Sequence, residues 1–197
     1  LIAFADVGAA IGLDYSQAAL DLCRQRGLPN LVRGSIADLP FADASLDLVT
    51  CFEVLYHQTI ADWRDGVAQL ARVVRPGGLV VLREPALEIL RGAHDAAVHG
   101  SHRFSRRELH QAVEGAGLEV LRCSYQNLVT FAPALLLRTW QRMRGAATAA
   151  PKADFHHGSG PVGALLATWL ACEGWLLQYT RLPIGSSVLC IARKPGP

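Results

Sequence analysis

Asp14 ends a short apolar stretch, Ala10-Ile11-Gly12-Leu13, and stands two residues before Ser16, a residue type that caps helices. An acid placed where a strand gives way to a helix can accept hydrogen bonds from both hydroxyls of a ribose. A second group of reactive side chains follows the buried run 46–51, in the stretch Cys51-Phe52-Glu53-Val54-Leu55-Tyr56-His57. A loop leaving the carboxyl end of a parallel strand opens toward the ligand crevice. His57 is the titratable group best placed there, because an imidazole changes charge near neutral pH and can take a proton from a hydroxyl or amine. A histidine that only satisfies the fold is the competing reading, and Tyr56 is a candidate for the substrate wall. Arg83 and Glu84 leave the run 79–82 at the same edge, either to orient a substrate or to pair with one another. No carboxylate or cysteine stands at ligand spacing from His156-His157, so no metal site is expected.

Composition narrows the class. The chain has 197 residues, 51% hydrophobic, enough for one domain with a large core. Its net charge is +2 and its arginines are scattered, so no nucleic-acid partner is expected. The five cysteines are widely spaced, with no CxxC pair. Cys23, Cys123 and Cys190 read as small buried hydrophobes in a reducing cytoplasm. The apolar run 162–177 is interrupted by Glu173 and is short for a membrane span. A charge in that face is costly if buried unpaired, so Glu173 is expected to face the pocket or an arginine such as Arg138 or Arg181.

The elements that position these residues alternate. A strand is expected over 10–15, after a helix end at 1–9. A helix capped by Ser16, with Ala19, Leu20 and Cys23 on its apolar face, closes at Gly27. Strands follow over 31–33 and 46–51. Asp62 caps a helix with Trp63, Val67, Leu70 and Val74 on one stripe. Arg75-Pro76-Gly77-Gly78 reads as a sharp turn into a strand over 79–82. Ser105-Arg-Arg-Glu108 is a capping box, its helix stops at Gly117, and strands follow over 118–125 and 187–193. Between these last strands, Pro133 starts one helix and Pro161 another, with a Gly- and Ala-rich stretch, expected to be mobile, over 145–160. Alternating strands and helices argue for a parallel sheet covered on both faces.

Four segments, taken in order, resemble the class I S-adenosylmethionine-dependent methyltransferases of the small-molecule type. They are GLDYS at 12–16, LVRGSIADLPFADASLDLVTCFEVLYH at 31–57, LARVVRPGGLVVLREP at 70–85 and HRFSRREL at 102–109. The tail RLPIGSSVLCIARKPG at 181–196 resembles relatives with helices inserted before the last strand. The resemblance implies a Rossmann-like, mostly parallel seven-stranded sheet with helices on both faces. It also implies S-adenosyl-L-methionine as cofactor. By motif, Asp14 binds the ribose, Tyr15 packs beside it, and Ser35 and Ile36 flank the adenine edge. The family usually carries Asp where this chain has Ser35, which can still accept a hydrogen bond but is neutral and short. Cys51 and Phe52, at the crevice end of the strand over 46–51, are expected to contact the cofactor, with the aromatic ring able to cover adenine or the sulfonium; core packing of the loop is the competing reading. The family's first strand and glycine-rich loop have no counterpart here, since DVGAAIG at 6–12 runs into a strand rather than out of one.

Methyl transfer from a sulfonium needs alignment and exclusion of water more than acid–base machinery. The expected enzyme is a single domain over 1–197 in which residues 132–180 form a helical lid over a small, partly apolar acceptor. Trp140, Trp169 and Trp175 fit either an acceptor pocket or a homodimer interface. The alternative function is a catalytically inactive methyltransferase-like subunit acting as a protein-interaction module.

Overall fold

A computed structural model describes residues 8–143 and 161–196. The first strand, β1 (Gly12–Asp14), leads into helix α1 (Gln17–Gln25) and a second strand, β2 (Leu31–Arg33). The Ser16 hydroxyl accepts the Ala19 N–H at 3.3 Å, and Gly27 takes a φ of 72° just beyond the helix. β1 and β2 pair in parallel, with Asp14 opposite Arg33.

The second unit of the chain comprises β3 (Leu46–Phe52), α2 (Trp63–Val73), β4 (Val74–Pro85) and a 3-10 turn at Glu88–Leu90. After it come α3 (Ala93–Ala97), α4 (Arg106–Gly115), β5 (Glu119–Gln126), α5 (Leu128–Met143), α6 (Pro161–Leu176) and β6 (Ser187–Arg193). These strands lie in the order β3-β4-β6-β5. β3 and β4 are parallel, whereas β6 runs against both β4 and β5.

The architecture is Rossmann-like α/β with helices on both faces, but the sheet is mixed. Six strands form two sheets among the described residues, and β6 makes both antiparallel pairings. Side-chain alternation specifies a strand and its buried face but not its direction. The reading of alternating elements as a parallel sheet therefore changes at β6, while β3, β4 and β5 run in one direction.

Three local readings also change. Arg75–Gly78 is not a turn before the strand: Leu46 pairs with Val74 and Leu48 with Leu79, so these residues bulge from β4. Val74 therefore opens β4 instead of closing the α2 stripe. Pro133 lies inside α5, which begins at Leu128, and so removes one N–H from that helix rather than starting it. The 1–9 helix end lies outside the described residues apart from residues 8 and 9, which are not helical, and the 145–160 stretch lies wholly outside them.

The core sits between α2, α4 and the larger sheet. Val67, Val73, Val80, Leu82, Phe104, Leu109, Val113 and Val188 are fully buried, each contributing about 1.5–3 kcal/mol. Gly66 on α2 admits Ile36 from the segment after β2 and Leu55 from the segment after β3. A Cβ there would lie 2.7 Å from Leu55 and 3.2 Å from Ile36. The absence of a side chain at this position brings together the two segments that carry the candidate site.

Candidate functional site

Asp14 stands exposed at the end of β1. Its Oδ1 accepts the Ser16 N–H at 2.8 Å, which fixes the carboxylate against the start of α1. Its other oxygen has no hydrogen-bond partner among the described residues and stays available to donors. Arg33 does not neutralise it, because that side chain donates to the Tyr15 carbonyl at 3.3 Å. Tyr15 itself projects into solvent beside the carboxylate.

The segment after β2 folds back on itself. The Ser35 hydroxyl accepts the Ala37 N–H at 3.2 Å, and the Ser35 carbonyl accepts from Asp38. Ile36 is buried in the same cluster as Cys51 and Leu55. Ser35 and Ile36 thus form a short shelf that rests on the segment leaving β3.

Strand alternation separates Cys51 from Phe52. Cys51 points inward, and burial followed by the nearby Glu84 carboxylate raises its thiol well above the ordinary value. Phe52 points outward, with the Arg83 guanidinium 5.2 Å from its ring center. Arg83 also reaches Glu53 at 3.2 Å, so the expected Arg83–Glu84 pair does not form. Glu53 adopts a φ of 55°, an uncommon conformation outside glycine, and turns the chain sharply at the strand end.

That turn aims two backbone N–H groups at Glu84. Its Oε1 accepts from Val54 at 3.2 Å and from Leu55 at 3.1 Å, while Oε2 is buried without a partner. Glu84 is fully buried, and desolvation raises its pKa from 4.5 to about 8 against the lowering effect of these amides. At neutral pH the carboxyl is mostly protonated and acts as a neutral clamp on the segment 54–56. Sequence reading placed Glu84 at the ligand edge but missed this clamp. The signal was present in the strand period: Val80, Leu82, Glu84 and Ala86 all share the inward phase.

His57 lies beyond the clamp. Its Nδ1 is 2.8 Å from the Thr59 hydroxyl and accepts the Thr59 N–H at 3.3 Å. The hydrogen-bond network therefore assigns the proton of the neutral ring to Nε2. The rings of His57 and His99 are 5.8 Å apart, and His99 Nδ1 lies 3.0 Å from Gln58 Nε2. His102 instead stacks on Trp63 and approaches Glu108 at 3.0 Å. No group of three or more potential metal ligands occurs among the described residues.

Glu173 is buried, and its partner is not an arginine. Its carboxylate accepts the backbone N–H groups of Asn127 and Leu128, and so caps α5 from α6. Arg138 turns to Gln141 at 2.9 Å. Exposed Leu136, Trp140, Trp169 and Trp175 leave α5 and α6 with extensive apolar surface. No helix among the described residues is long and apolar enough to cross a membrane.

The geometry suits an adenosyl group in its acceptors. A strand-end carboxylate with one open oxygen can take a diol, and Ser35 offers a second acceptor on a segment anchored by the buried Ile36.

Comparison with known proteins leads the same way. Residues 2–82 match the family model described as a methyltransferase domain. The chain is 34% identical over 113 residues to the probable S-adenosylmethionine-dependent methyltransferase of Mycolicibacterium smegmatis, covering 56% of this chain and 43% of that one. It is 36% identical over 107 residues to the phthiotriol/phenolphthiotriol dimycocerosates methyltransferase of Mycobacterium tuberculosis, covering 52% and 39%. The chain thus spans less than half the length of these curated relatives. Among solved structures, the YcgJ protein of Bacillus subtilis aligns with a TM-score of 0.59 at 18% identity, over 100% of this chain and 87% of that one. A geranyl diphosphate methyltransferase solved with its cofactor aligns with a TM-score of 0.57 at 16% identity, over 98% and 73%.

Proposed function

We infer that this chain, which has the fold of the class I S-adenosylmethionine-dependent methyltransferases, serves an enzyme that methylates an oxygen, nitrogen or carbon of a small, partly apolar metabolite. The observation that carries the reading is Asp14: an exposed carboxylate at a strand end, held by the Ser16 amide, with its second oxygen open. S-adenosylmethionine, when bound, supplies a methyl group already activated on a sulfonium.

The residues of this chain then bind, orient and shield. Asp14 accepts the ribose hydroxyls, and Tyr15 covers them from the solvent side. Ser35 accepts from the adenine edge where the family usually places a carboxylate, and Ile36 supports the ring. Phe52 faces the cofactor with its ring, whereas Cys51 contributes packing beneath it. Glu84 holds the segment 54–56 in place by its amides. His57 is the base for a hydroxyl acceptor of high pKa. In that role its ring must release Thr59 or exchange its tautomer, since Nδ1 is already engaged.

We assign residues 1–197 to one domain, with 132–180 as a lid that encloses the acceptor. The apolar faces of α5 and α6 support this reading and also suit a homodimer contact. The names of two relatives, which concern a dimycocerosate lipid and an isoprenoid diphosphate, support an acceptor with apolar parts. The seventh strand belongs to the same proposal, between β1 and β3. β1 pairs only with β2, and β3 only with β4, among the described residues. Five cysteines, all unpaired, suit a reducing cytoplasm.

The test is transfer of a labelled methyl group by the full-length protein to a panel of hydroxyl and amine acceptors with alkyl or isoprenoid chains. Acceptor-dependent release of S-adenosylhomocysteine is expected. Cofactor binding with no turnover across the panel would overturn the catalytic reading in favour of an inactive, partner-binding subunit. For a hydroxyl acceptor, His57→Ala should lower the rate at least about tenfold and change its pH profile. An unchanged rate and profile would return His57 to a structural role.

A further inference from the structure

We propose that the cleft between α4 and β5 binds a small phosphorylated, hydroxyl-bearing metabolite, independently of the methyl-transfer site. The cleft has a volume of about 460 Å³, within the range of small-molecule sites. Arg106, Arg107, His110, Gln111 and Glu114 line it from α4, Cys123 from β5, and Arg181 from the segment before β6.

Charge pairing elsewhere in the molecule makes this cleft distinctive. Seven other arginines sit within 3.5 Å of a carboxylate oxygen. The guanidinium groups of Arg106, Arg107 and Arg181 have no ion-pair or hydrogen-bond partner among the described residues. They come from two separate parts of the chain and converge on one recess. Three like charges brought together repel one another, and a shared anion removes that repulsion.

The rest of the lining defines the ligand. The cleft also holds Glu114, whose carboxylate lies 3.1 Å from His110 one helical turn away, so three guanidiniums face one carboxylate in the lining. At the floor, the Cys123 sulfur donates to the Arg106 carbonyl at 3.6 Å. The Cys123 thiol is held below its ordinary pKa by the Cys190 thiol first and by Arg106 and Arg181 after it, against desolvation. The positive field of these two arginines therefore reaches the bottom of the recess. Planar guanidiniums match the oxygens of a phosphoryl group. Gln111 and Glu114 offer acceptors to hydroxyls at the other end of the same cleft.

The test uses ribose 5-phosphate as the probe, with ribose and inorganic phosphate as its separated halves. Amide NMR shifts of the full chain are followed during titration. Saturable shifts confined to residues 106–114 and 122–124 are expected, with ribose 5-phosphate binding more tightly than phosphate and ribose giving none. Arg107→Ala combined with Arg181→Ala should weaken binding at least tenfold, while Arg24→Ala on α1 leaves it unchanged. Both cleft arginines are exposed, so circular dichroism of the double variant should match the wild type. Shifts that do not saturate, or an affinity unchanged in the double variant, would overturn the proposal. So would an RNA oligomer that binds tighter than ribose 5-phosphate and spreads the shifts beyond the cleft, which would mark a nucleic-acid surface instead.

Discussion

Glu84 should make the stability of this protein fall as pH rises through neutrality. The carboxyl titrates at 4.5 when unconstrained and at about 8 in the folded chain, because burial disfavours its charged form. The folded state therefore binds more protons than the unfolded state between those values, and stability decreases with pH across that window. Below 4.5 both states are protonated and the full stability is present; above about 8 both are ionised and the loss is complete. Each pH unit within the window costs up to about 1.4 kcal/mol, so from pH 5.5 to pH 8 the group accounts for at most about 3 kcal/mol. Glu84→Gln keeps an oxygen to accept the Val54 and Leu55 amides but cannot ionise. Urea denaturation of both proteins at pH 5.5, 7 and 8 isolates the effect as their difference. The Gln variant should gain on the wild type steadily with pH. Parallel curves for the two proteins would refute the reasoning, since they would mean that Glu84 does not change its proton occupancy on folding.

Two further outcomes follow from packing. Glu173→Ala should leave the Asn127 and Leu128 amides without their carboxylate and cost about 1–3 kcal/mol, with hydrogen exchange accelerating first at the start of α5; uniform exchange along α5 would contradict the capping role. Gly66→Ala places a Cβ 2.7 Å from Leu55 and should destabilise by about 1–3 kcal/mol in denaturant titration, and an unchanged midpoint would show that the segment yields freely.

The legible parts of the fold were those written within a few residues. The Ser16 and Ser105 caps accept the N–H three residues ahead, and both appear in the structure as read. Strands β2 and β6 match their sequence bounds for a similar reason, since each is a short apolar-rich run with Asn, Gly or Pro close to its ends. The missed features depend on distant partners. Glu84 meets amides 29 and 30 residues away, and Glu173 meets amides 45 and 46 residues away. A charged residue in an apolar run signals a buried partner, but the default choice of an arginine hid the backbone amides that fill the role. The Arg75–Gly78 segment misled because Pro and Gly mark a bulge as readily as a turn. Cys51 and Phe52 are neighbours in the sequence, yet the strand period sends them to opposite sides. The cleft beside α4 left no motif, because Arg181 joins Arg106 and Arg107 only through the return of β6 along β5.

The central claim is that Asp14 holds the ribose of S-adenosylmethionine. Isothermal titration of the full-length protein with S-adenosylmethionine, beside the Asp14→Ala variant, tests it most directly. The account predicts saturable binding to the wild type. It also predicts a loss of about 1.5–3 kcal/mol in the variant, an affinity weaker by a factor of about 10 to 150, from removal of charge-assisted hydrogen bonds. Equal affinities for the two proteins, or no saturable heat from the wild type, would contradict it.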